Sequence, residues 1–146
     1  MNEEQFYRNH VRPVLERFGE HTRIENSISA GVFDLSYALP VNEVYGVHGW
    51  LELKVARGGK ITFQRFQLPW ARSRARITKG LGLWVLVTDG ELIYLYNILD
   101  VLDAPKTIAK ASDGKPLTVV ALGSMKPTIY SQQPWPWERI VRVLAS

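Results

Sequence analysis

Two carboxylates and a lysine stand at spacings that could build a hydrolytic site. Glu52 and Lys54 are two residues apart in the alternating stretch 49–56, so an extended strand would point both to the same side. Asp34 lies in a second alternating stretch, 31–39, and would come close to Glu52 if the two stretches pair as a hairpin. Neighbouring carboxylates raise each other's pKa, and a divalent cation would relieve that repulsion. The pattern therefore predicts a site for Mg²⁺, with Mn²⁺ as a substitute, held by Asp34 and Glu52.

An ammonium group beside such an ion has a defined task. Lys54 would help hold water in its hydroxide form and would offset the charge that builds on a phosphate in the transition state. The carbonyl of Leu53 could add a further metal ligand. These groups together predict hydrolysis of phosphodiester bonds. The alternative is that Glu52 and Lys54 form a solvent-exposed charge pair worth under ~1 kcal/mol.

The positive charge of the chain is concentrated in one segment. The 146 residues hold 18 Lys and Arg against 14 Asp and Glu, but the stretch 54–88 holds eight cations and no carboxylate. A localised basic segment favours a polyanion, of which nucleic acid is the commonest, over a solvated helix face or an anionic lipid surface. The residues expected to contact nucleic acid are Lys54, Arg57, Lys60, Arg65, Gln67, Arg72, Arg76 and Lys79.

Composition excludes several other classes of protein. The chain has no cysteine, which excludes disulfide scaffolds, thiolate zinc sites and cysteine nucleophiles. Hydrophobic residues make up 46% and charged residues 22%, values typical of one globular domain spanning 1–146. No apolar run approaches the ~20 residues of a membrane span. The polar, acidic residues 1–5 do not resemble a signal peptide, so we expect a cytoplasmic protein, in the host cytoplasm if it is viral.

The predicted elements alternate between helices and strands, which indicates the α/β class with a mixed sheet flanked by helices. Pro13 should interrupt the first helix. Residues 98–116 are expected to be irregular apart from a short helix at 98–102, and 117–122 is expected to form an edge strand. The predicted helices are 3–18, 67–80 and 135–144, and the other predicted strands are 31–39, 49–56, 60–63, 83–87 and 92–96.

The residues that could do chemistry also resemble a known family. Asp34 followed by Glu52-Leu53-Lys54 resembles the signature of the PD-(D/E)XK nucleases. Neighbouring stretches resemble the small phage-type members, which include Holliday-junction-resolving endonucleases. The resemblance covers about residues 3–97, whereas 98–146 is an extension of unknown role. Residue 33 is Phe where the family has proline. The stretches that carry the resemblance are Arg23-Ile24-Glu25-Asn26, Gly31-Val32-Phe33-Asp34-Leu35, Gly49-Trp50-Leu51-Glu52-Leu53-Lys54, and Gln67 with Trp70.

This resemblance implies a restriction-endonuclease-like core and a metal-dependent DNA endonuclease. It implies Asp34, Glu52 and Lys54 as catalytic residues, with an upstream glutamate that joins them and the metal. Glu25 is the best match for that glutamate, and Glu20 is the second choice. Holliday junctions or other branched DNA are the expected substrate, and a homodimer is expected because two opposed strands must be cut. A restriction- or repair-type nuclease acting on duplex DNA, or an inactive nucleic-acid-binding accessory protein of the same fold, are the alternatives.

Overall fold

The structure, a computed structural model, describes residues 1–24 and 31–146. Within these residues two β-sheets are packed with short helices. In chain order the elements are α1 (Glu3–Phe6), a π-helical turn (Tyr7–Val11), α2 (Arg12–Phe18), β1 (Glu20–Arg23), β2 (Leu35–Pro40), β3 (Gly46–Val55), β4 (Lys60–Gln64), α3 (Gln67–Thr78), β5 (Leu83–Thr88), β6 (Ile93–Asn97), α4 (Ile98–Asp103), β7 (Thr107–Lys110), β8 (Pro116–Ala121), a 3₁₀ turn (Leu122–Ser124), β9 (Ile129–Ser131) and α5 (Trp137–Leu144).

The larger sheet has the strand order β1-β2-β3-β5-β6-β9. Strands β3 and β5 are parallel and the other neighbours are antiparallel, so the sheet is mixed as predicted. The predicted hairpin is β2–β3, in which Leu35 pairs with Leu51. Its register depends on Gly49, because a Cβ there would lie 2.3 Å from the Tyr37 hydroxyl oxygen. The smaller sheet has the antiparallel order β4-β8-β7.

The two faces of the larger sheet are covered by different elements. Leu51 and Leu53 lie in the core cluster that also contains residues of α1, α2 and α5. The opposite face packs against α3, α4 and the smaller sheet through a second core cluster. Because side chains alternate along a strand, Glu52 and Lys54 point away from the first cluster and into the layer beneath α3. The sheet therefore buries two ionisable groups between its own surface and a helix.

The first helical segment is interrupted one turn earlier than Pro13. The N–H of Arg12 donates to the carbonyl of Tyr7, five residues back, which defines a π-helical turn. Pro13 then lies in the first turn of α2, where a missing N–H is tolerated.

The C-terminal residues contain more regular structure than the sequence pattern predicted. The region 98–116, expected to be irregular beyond its helix, includes β7, and β8 is a central strand rather than an edge strand. All four residues of β7 are exposed, so the strand lacks the alternation by which it could be recognised. Strand β9 and helix α5 complete the larger sheet and its cover. Among the helices of the described residues, none has the length and apolar character needed to cross a membrane.

Candidate active site

The β2–β3 hairpin brings Asp34 and Glu52 into contact. Asp34 directly precedes β2, and the pairing of Leu35 with Leu51 places it beside Glu52. The N–H of Asp34 donates to Glu52 Oε1 at 3.0 Å. The N–H of Leu53 donates to Asp34 Oδ2 at 3.0 Å. Backbone hydrogen bonds thus hold together the two carboxylates that the sequence pattern predicted to lie close to each other.

Lys54 and Gln67 complete a buried network with Glu52. The Lys54 Nζ lies 3.0 Å from Glu52 Oε2 and donates to Gln67 Oε1 at 3.0 Å. Gln67 Nε2 in turn donates to Glu52 Oε2 at 2.7 Å, and its Oε1 also accepts the N–H of Gln64 at 2.9 Å. Glu52 is 1% exposed, Lys54 5% and Gln67 3%. The charged pair is therefore not a surface ion pair, and its geometry is locked by three polar contacts.

This burial corrects the expected position of two residues. Gln67 was predicted among the nucleic-acid contacts, but its amide is enclosed at the start of α3 and is used by Glu52, Lys54 and Gln64. Lys54 likewise lies inside the site, with its Nζ 4.7 Å from the centroid of the Phe63 ring. Gln67 therefore orients the Glu52 carboxylate, and the ammonium of Lys54 is held inside the site beside that carboxylate instead of on the exposed surface.

The carboxyl groups of the site are difficult to ionise. Burial raises the pKa of Glu52 to about 7, although the charge of Lys54 opposes the shift. Burial also raises the pKa of Asp34, against the hydrogen bond from Leu53 and the charge of Lys54. Burial lowers the pKa of Lys54, but the charges of Glu52 and Glu3 outweigh this effect and leave the value above the usual one. The site therefore holds a charged ammonium beside carboxylates whose mutual repulsion a divalent cation would relieve.

Glu3 is a functional candidate that the sequence analysis missed. A capping box starts α1 at this residue, since the side chain of Asn2 accepts the N–H of Gln5 and the side chain of Gln5 accepts the N–H of Asn2. Helix α1 lies against β3, so the Glu3 carboxylate interacts with the charges of Lys54 and Asp34. The side chain keeps solvent exposure, yet burial on its inner side raises its pKa.

Two glutamates, Glu25 and Glu20, were predicted as candidates for the upstream glutamate that joins the site. Glu25 lies outside the described residues. Glu20 pairs with Ala38 at the start of β1, and Ala38 pairs with His48. That register separates Glu20 from the carboxylates by four residues of strand, which is about 13 Å. Glu20 is therefore not brought to the site.

The donor set fits a hard divalent cation. The N–H groups of Trp50 and Ala56 point towards the β5 side of β3, so the N–H and carbonyl of Leu53 point the other way, to the edge where Asp34 lies. The carboxylates and this carbonyl are oxygen ligands of the kind that Mg²⁺ takes, with water and phosphate completing the shell. Among residues 1–24 and 31–146, no three His, Cys, Asp or Glu side chains lie close enough together to surround a metal ion. Glu3 is therefore not close enough to join Asp34 and Glu52 as a third carboxylate ligand.

Apart from the buried Lys54, the basic residues predicted to contact nucleic acid are exposed and fall into two groups. Arg57 and Lys60 line the cleft that contains Glu3, and Arg65 borders a second cleft beside Gly31. A second group lies on α3, on the flank that turns towards α4 and away from the carboxylates. The members of that group are Arg72, Arg76 and Lys79.

Aromatic side chains continue the site along α3. Trp50 packs edge-on against Trp70 of α3 at 5.3 Å between ring centroids. Phe33 lies 5.0 Å from Trp70. The guanidinium of Arg74 covers both tryptophan rings, at 4.6 Å from Trp70 and 5.3 Å from Trp50. This packing holds α3, and with it Gln67, against the strand that bears Glu52.

Comparisons with known proteins support the fold. No protein-family model matches the chain, and no curated protein matches it. The solved structure of D212, a nuclease from a fusellovirus, is 9% identical, covers 97% of this chain and 91% of that chain, and superposes with a TM-score of 0.53. Hjc of Archaeoglobus fulgidus, a Holliday junction resolvase from an archaeal hyperthermophile, is 8% identical, with coverages of 84% and 86% and a TM-score of 0.49. The mixed α/β fold predicted from the order of helices and strands is confirmed.

Proposed function

We propose that this protein is a divalent-metal-dependent nuclease that hydrolyses phosphodiester bonds in DNA. The observation that carries the proposal is the contact of Asp34 with Glu52, with the ammonium of Lys54 fixed 3.0 Å from the Glu52 carboxylate. A buried carboxylate pair with raised pKa values needs a compensating charge, which favours a cation site over a structural ion pair. The shared fold with a nuclease at a TM-score of 0.53 is consistent with this proposal.

Asp34, Glu52 and the carbonyl of Leu53 would hold the ion, and the charge of Glu3 would act on the same site, as it does on Lys54 and Asp34. When bound, Mg²⁺ or Mn²⁺ supplies Lewis-acid polarisation of phosphoryl oxygens and lowers the pKa of water. Gln67 orients Glu52 by donating to its Oε2 at 2.7 Å. The backbone N–H groups of Asp34 and Leu53 fix the carboxylates from the other side. These bonds preorganise the site before a substrate arrives.

Lys54 would act on the phosphate. The charges of Glu52 and Glu3 keep its pKa above the ordinary value, so it stays an ammonium throughout the neutral range. A fixed cation in a water-poor site stabilises the extra negative charge of a phosphodiester transition state. The same charge would favour the hydroxide form of an attacking water near it.

The expected substrate is DNA with a branch, and the expected assembly is a homodimer. The cations of the stretch 54–88 favour a nucleic acid, while DNA and branch selectivity rest on the resemblance of the sequence to junction-resolving enzymes. A homodimer would place two sites on opposed strands. Light scattering at micromolar concentration should give twice the 16.6 kDa mass of the chain. A monomer would count against the resolution of junctions.

A cleavage assay tests the proposal. A labelled four-way junction, a linear duplex and a single strand of the same sequences are incubated with the protein and Mg²⁺, or with EDTA. Glu52→Gln should lose roughly 10³-fold in rate. Glu16→Gln, which alters an exposed carboxylate paired with Arg12, should cleave like the wild type.

The outcomes separate the competing functions. Cutting of the junction that needs Mg²⁺ and Glu52 supports the proposal. Cutting of plain duplex at defined sequences would replace it with a restriction- or repair-type nuclease. Salt-sensitive binding to nucleic acid without any cleavage would indicate that the protein is a nucleic-acid-binding accessory protein instead.

A further inference from the structure

The smaller sheet has one open face. Residues of β4, β8 and β7 that pair with each other point to the same side, so Thr62, Val119 and Thr107 form one row across the sheet. Gln64, Leu117 and Ala109 form the next row on the same side. The opposite side of β4 and β8 carries the buried residues Ile61, Phe63 and Val120. The open face is defined here as these two rows: Thr62, Val119, Thr107, Gln64, Leu117 and Ala109.

The open face is continuous with the candidate active site. The N–H of Gln64 donates to Gln67 Oε1, and Gln67 contacts both Glu52 and Lys54. Two clefts border it, one at each end of β4. Thr62 and Val119 line the cleft that holds Glu3, whereas Gln64 and Leu117 line the cleft beside Gly31. The open face therefore ends beside the first turn of α3, where Gln67 contacts Glu52 and Lys54.

The charges around the open face match a polyanion. Arg57 and Lys60 stand at one end, in the cleft that also contains Glu3 and Glu4, and Arg65 and Lys115 stand at the other. The Glu4 carboxylate is paired with Arg23. Five residues of strand separate Lys60 from Arg65, which is about 17 Å. The Asp113 carboxylate near Lys115 accepts the Lys115 N–H within the β7–β8 turn.

Small and neutral side chains fill the space between the basic ends. Thr62, Thr107 and Ala109 are exposed and short, so a sugar–phosphate backbone can approach the sheet closely. The face has no large exposed aromatic or aliphatic side chain of the kind that protein interfaces bury. The exposed Ile108 lies on the reverse of the sheet, because it pairs with Thr118 and not with Leu117.

We propose that the open face binds the DNA that flanks the cleaved bond, and that the β7–β8 hairpin extends this surface. The proposal assigns a role to part of the stretch 98–146. It rests on the proposed nuclease function, since DNA is the polyanion in question. Phosphates contact the two basic ends and the backbone lies over the neutral rows. The contact does not depend on the DNA sequence. It lets the protein bind a longer segment of DNA than the larger sheet alone could contact.

Neighbouring residues of β7 provide a matched test. Ala109→Glu adds a negative charge to the open face, and Ile108→Glu adds the same charge to the reverse of the same strand. Binding of a fluorescent four-way junction and of a duplex is measured by anisotropy in EDTA, so that no substrate is cut. Ala109→Glu should weaken binding roughly tenfold, while Ile108→Glu should bind within twofold of the wild type. Ala109→Lys should bind more tightly than the wild type, an effect that a misfolded protein would not produce.

Salt dependence supplies a second readout. Lys115 borders the open face, whereas Lys110 lies on the side of Ile108. Lys115→Gln should reduce the slope of log affinity against log salt by about one. Lys110→Gln removes the same charge and should leave the slope unchanged.

The results distinguish this inference from the proposed function. Equal binding by the Ala109→Glu and Ile108→Glu variants overturns the inference, and the nuclease stands if the wild type cleaves in Mg²⁺. Weaker binding by Ala109→Glu alone supports the surface even if the wild type cleaves nothing. A dimer that Ala109→Glu converts to a monomer, seen by light scattering, would assign the face to a second copy and overturn its role in DNA binding.

Discussion

Glu52→Gln should stabilise the metal-free protein at pH 8 while it removes a group that the proposed reaction needs. Burial raises the pKa of Glu52 from 4.5 to about 7. One pKa unit corresponds to about 1.4 kcal/mol, so ionised Glu52 costs the folded protein about 3 kcal/mol above pH 7. Glutamine has no charge to bury, and its single oxygen can accept from Lys54 and Gln67 in place of Oε2, while its amide nitrogen takes the place of Oε1 beside the N–H of Asp34. The substitution therefore removes this cost.

The sign of the pH dependence follows from the raised pKa of Glu52. A carboxyl group whose pKa is higher in the folded than in the unfolded protein contributes its full stabilisation at pH values below its pKa in the unfolded protein, which is 4.5. That stability is lost as pH rises through the folded value of about 7. Wild-type and Glu52→Gln proteins should have similar stability at pH 5. They should differ by about 3 kcal/mol at pH 8, with the variant more stable.

Thermal unfolding in EDTA measures the effect. For a chain of this size the difference corresponds to a Tm about 10 °C higher for Glu52→Gln at pH 8. Addition of Mg²⁺ or Mn²⁺ at pH 8 should raise the Tm of the wild type, because bound ligand stabilises the folded state, and should leave the variant unchanged. Glu16→Gln serves as the exposed control and should show neither effect.

A Glu52→Gln protein that is less stable than the wild type at pH 8 would refute the reasoning. So would a Tm difference that is the same at pH 5 and pH 8, since the effect would then come from packing and not from the buried charge. The pH dependence of groups that do not interact with Glu52 cancels in the comparison because both proteins contain them, whereas the pKa of Lys54 depends on the charge of Glu52.

Three further perturbations test other parts of the account. Lys54→Met should lower kcat by roughly 10²-fold or more with little change in Mn²⁺ affinity, and a large loss of Mn²⁺ binding by calorimetry would contradict its role on the phosphate. Glu3→Gln should weaken Mn²⁺ binding several-fold, whereas Glu4→Gln should not, and equal affinities would remove Glu3 from the site. Gly49→Ala should destabilise the fold by about 2 kcal/mol, because its Cβ would lie 2.3 Å from the Tyr37 hydroxyl, and an unchanged chemical denaturation midpoint would contradict the hairpin register.

The part of the site that lies on one hairpin could be predicted from the sequence. The strand predicted over 31–39 begins only at Leu35, and Phe33 lies in the other core cluster from Leu35. Within β2 and β3 the alternation determines which side chains share a face, and the short connection between the strands favours antiparallel pairing. These constraints are local, so they brought Asp34 near Glu52 without knowledge of the rest of the fold. The buried state of Lys54 could not be predicted, because it depends on which helix covers that face.

Residues that reach the site from distant elements were missed for the same reason. Glu3 is thirty-one positions before Asp34, and no periodicity connects α1 with β3. The sequence pattern predicted Gln67 at the start of a helix, but the burial of its side chain depends on the packing of Trp70 against Trp50. Strand β7 has no buried residue, so its pairing with β8 leaves no signal in the hydrophobic pattern.

The position of a bound ion tests the central claim most directly. Crystals grown with Mn²⁺ give an anomalous signal that locates the metal without reference to any assumed ligand. The account predicts a peak about 2.1 Å from carboxylate oxygens of both Asp34 and Glu52, and near the carbonyl of Leu53. Mn²⁺ bound only at other residues, with the hydrogen bonds between Asp34, Glu52 and Gln67 intact, would contradict it.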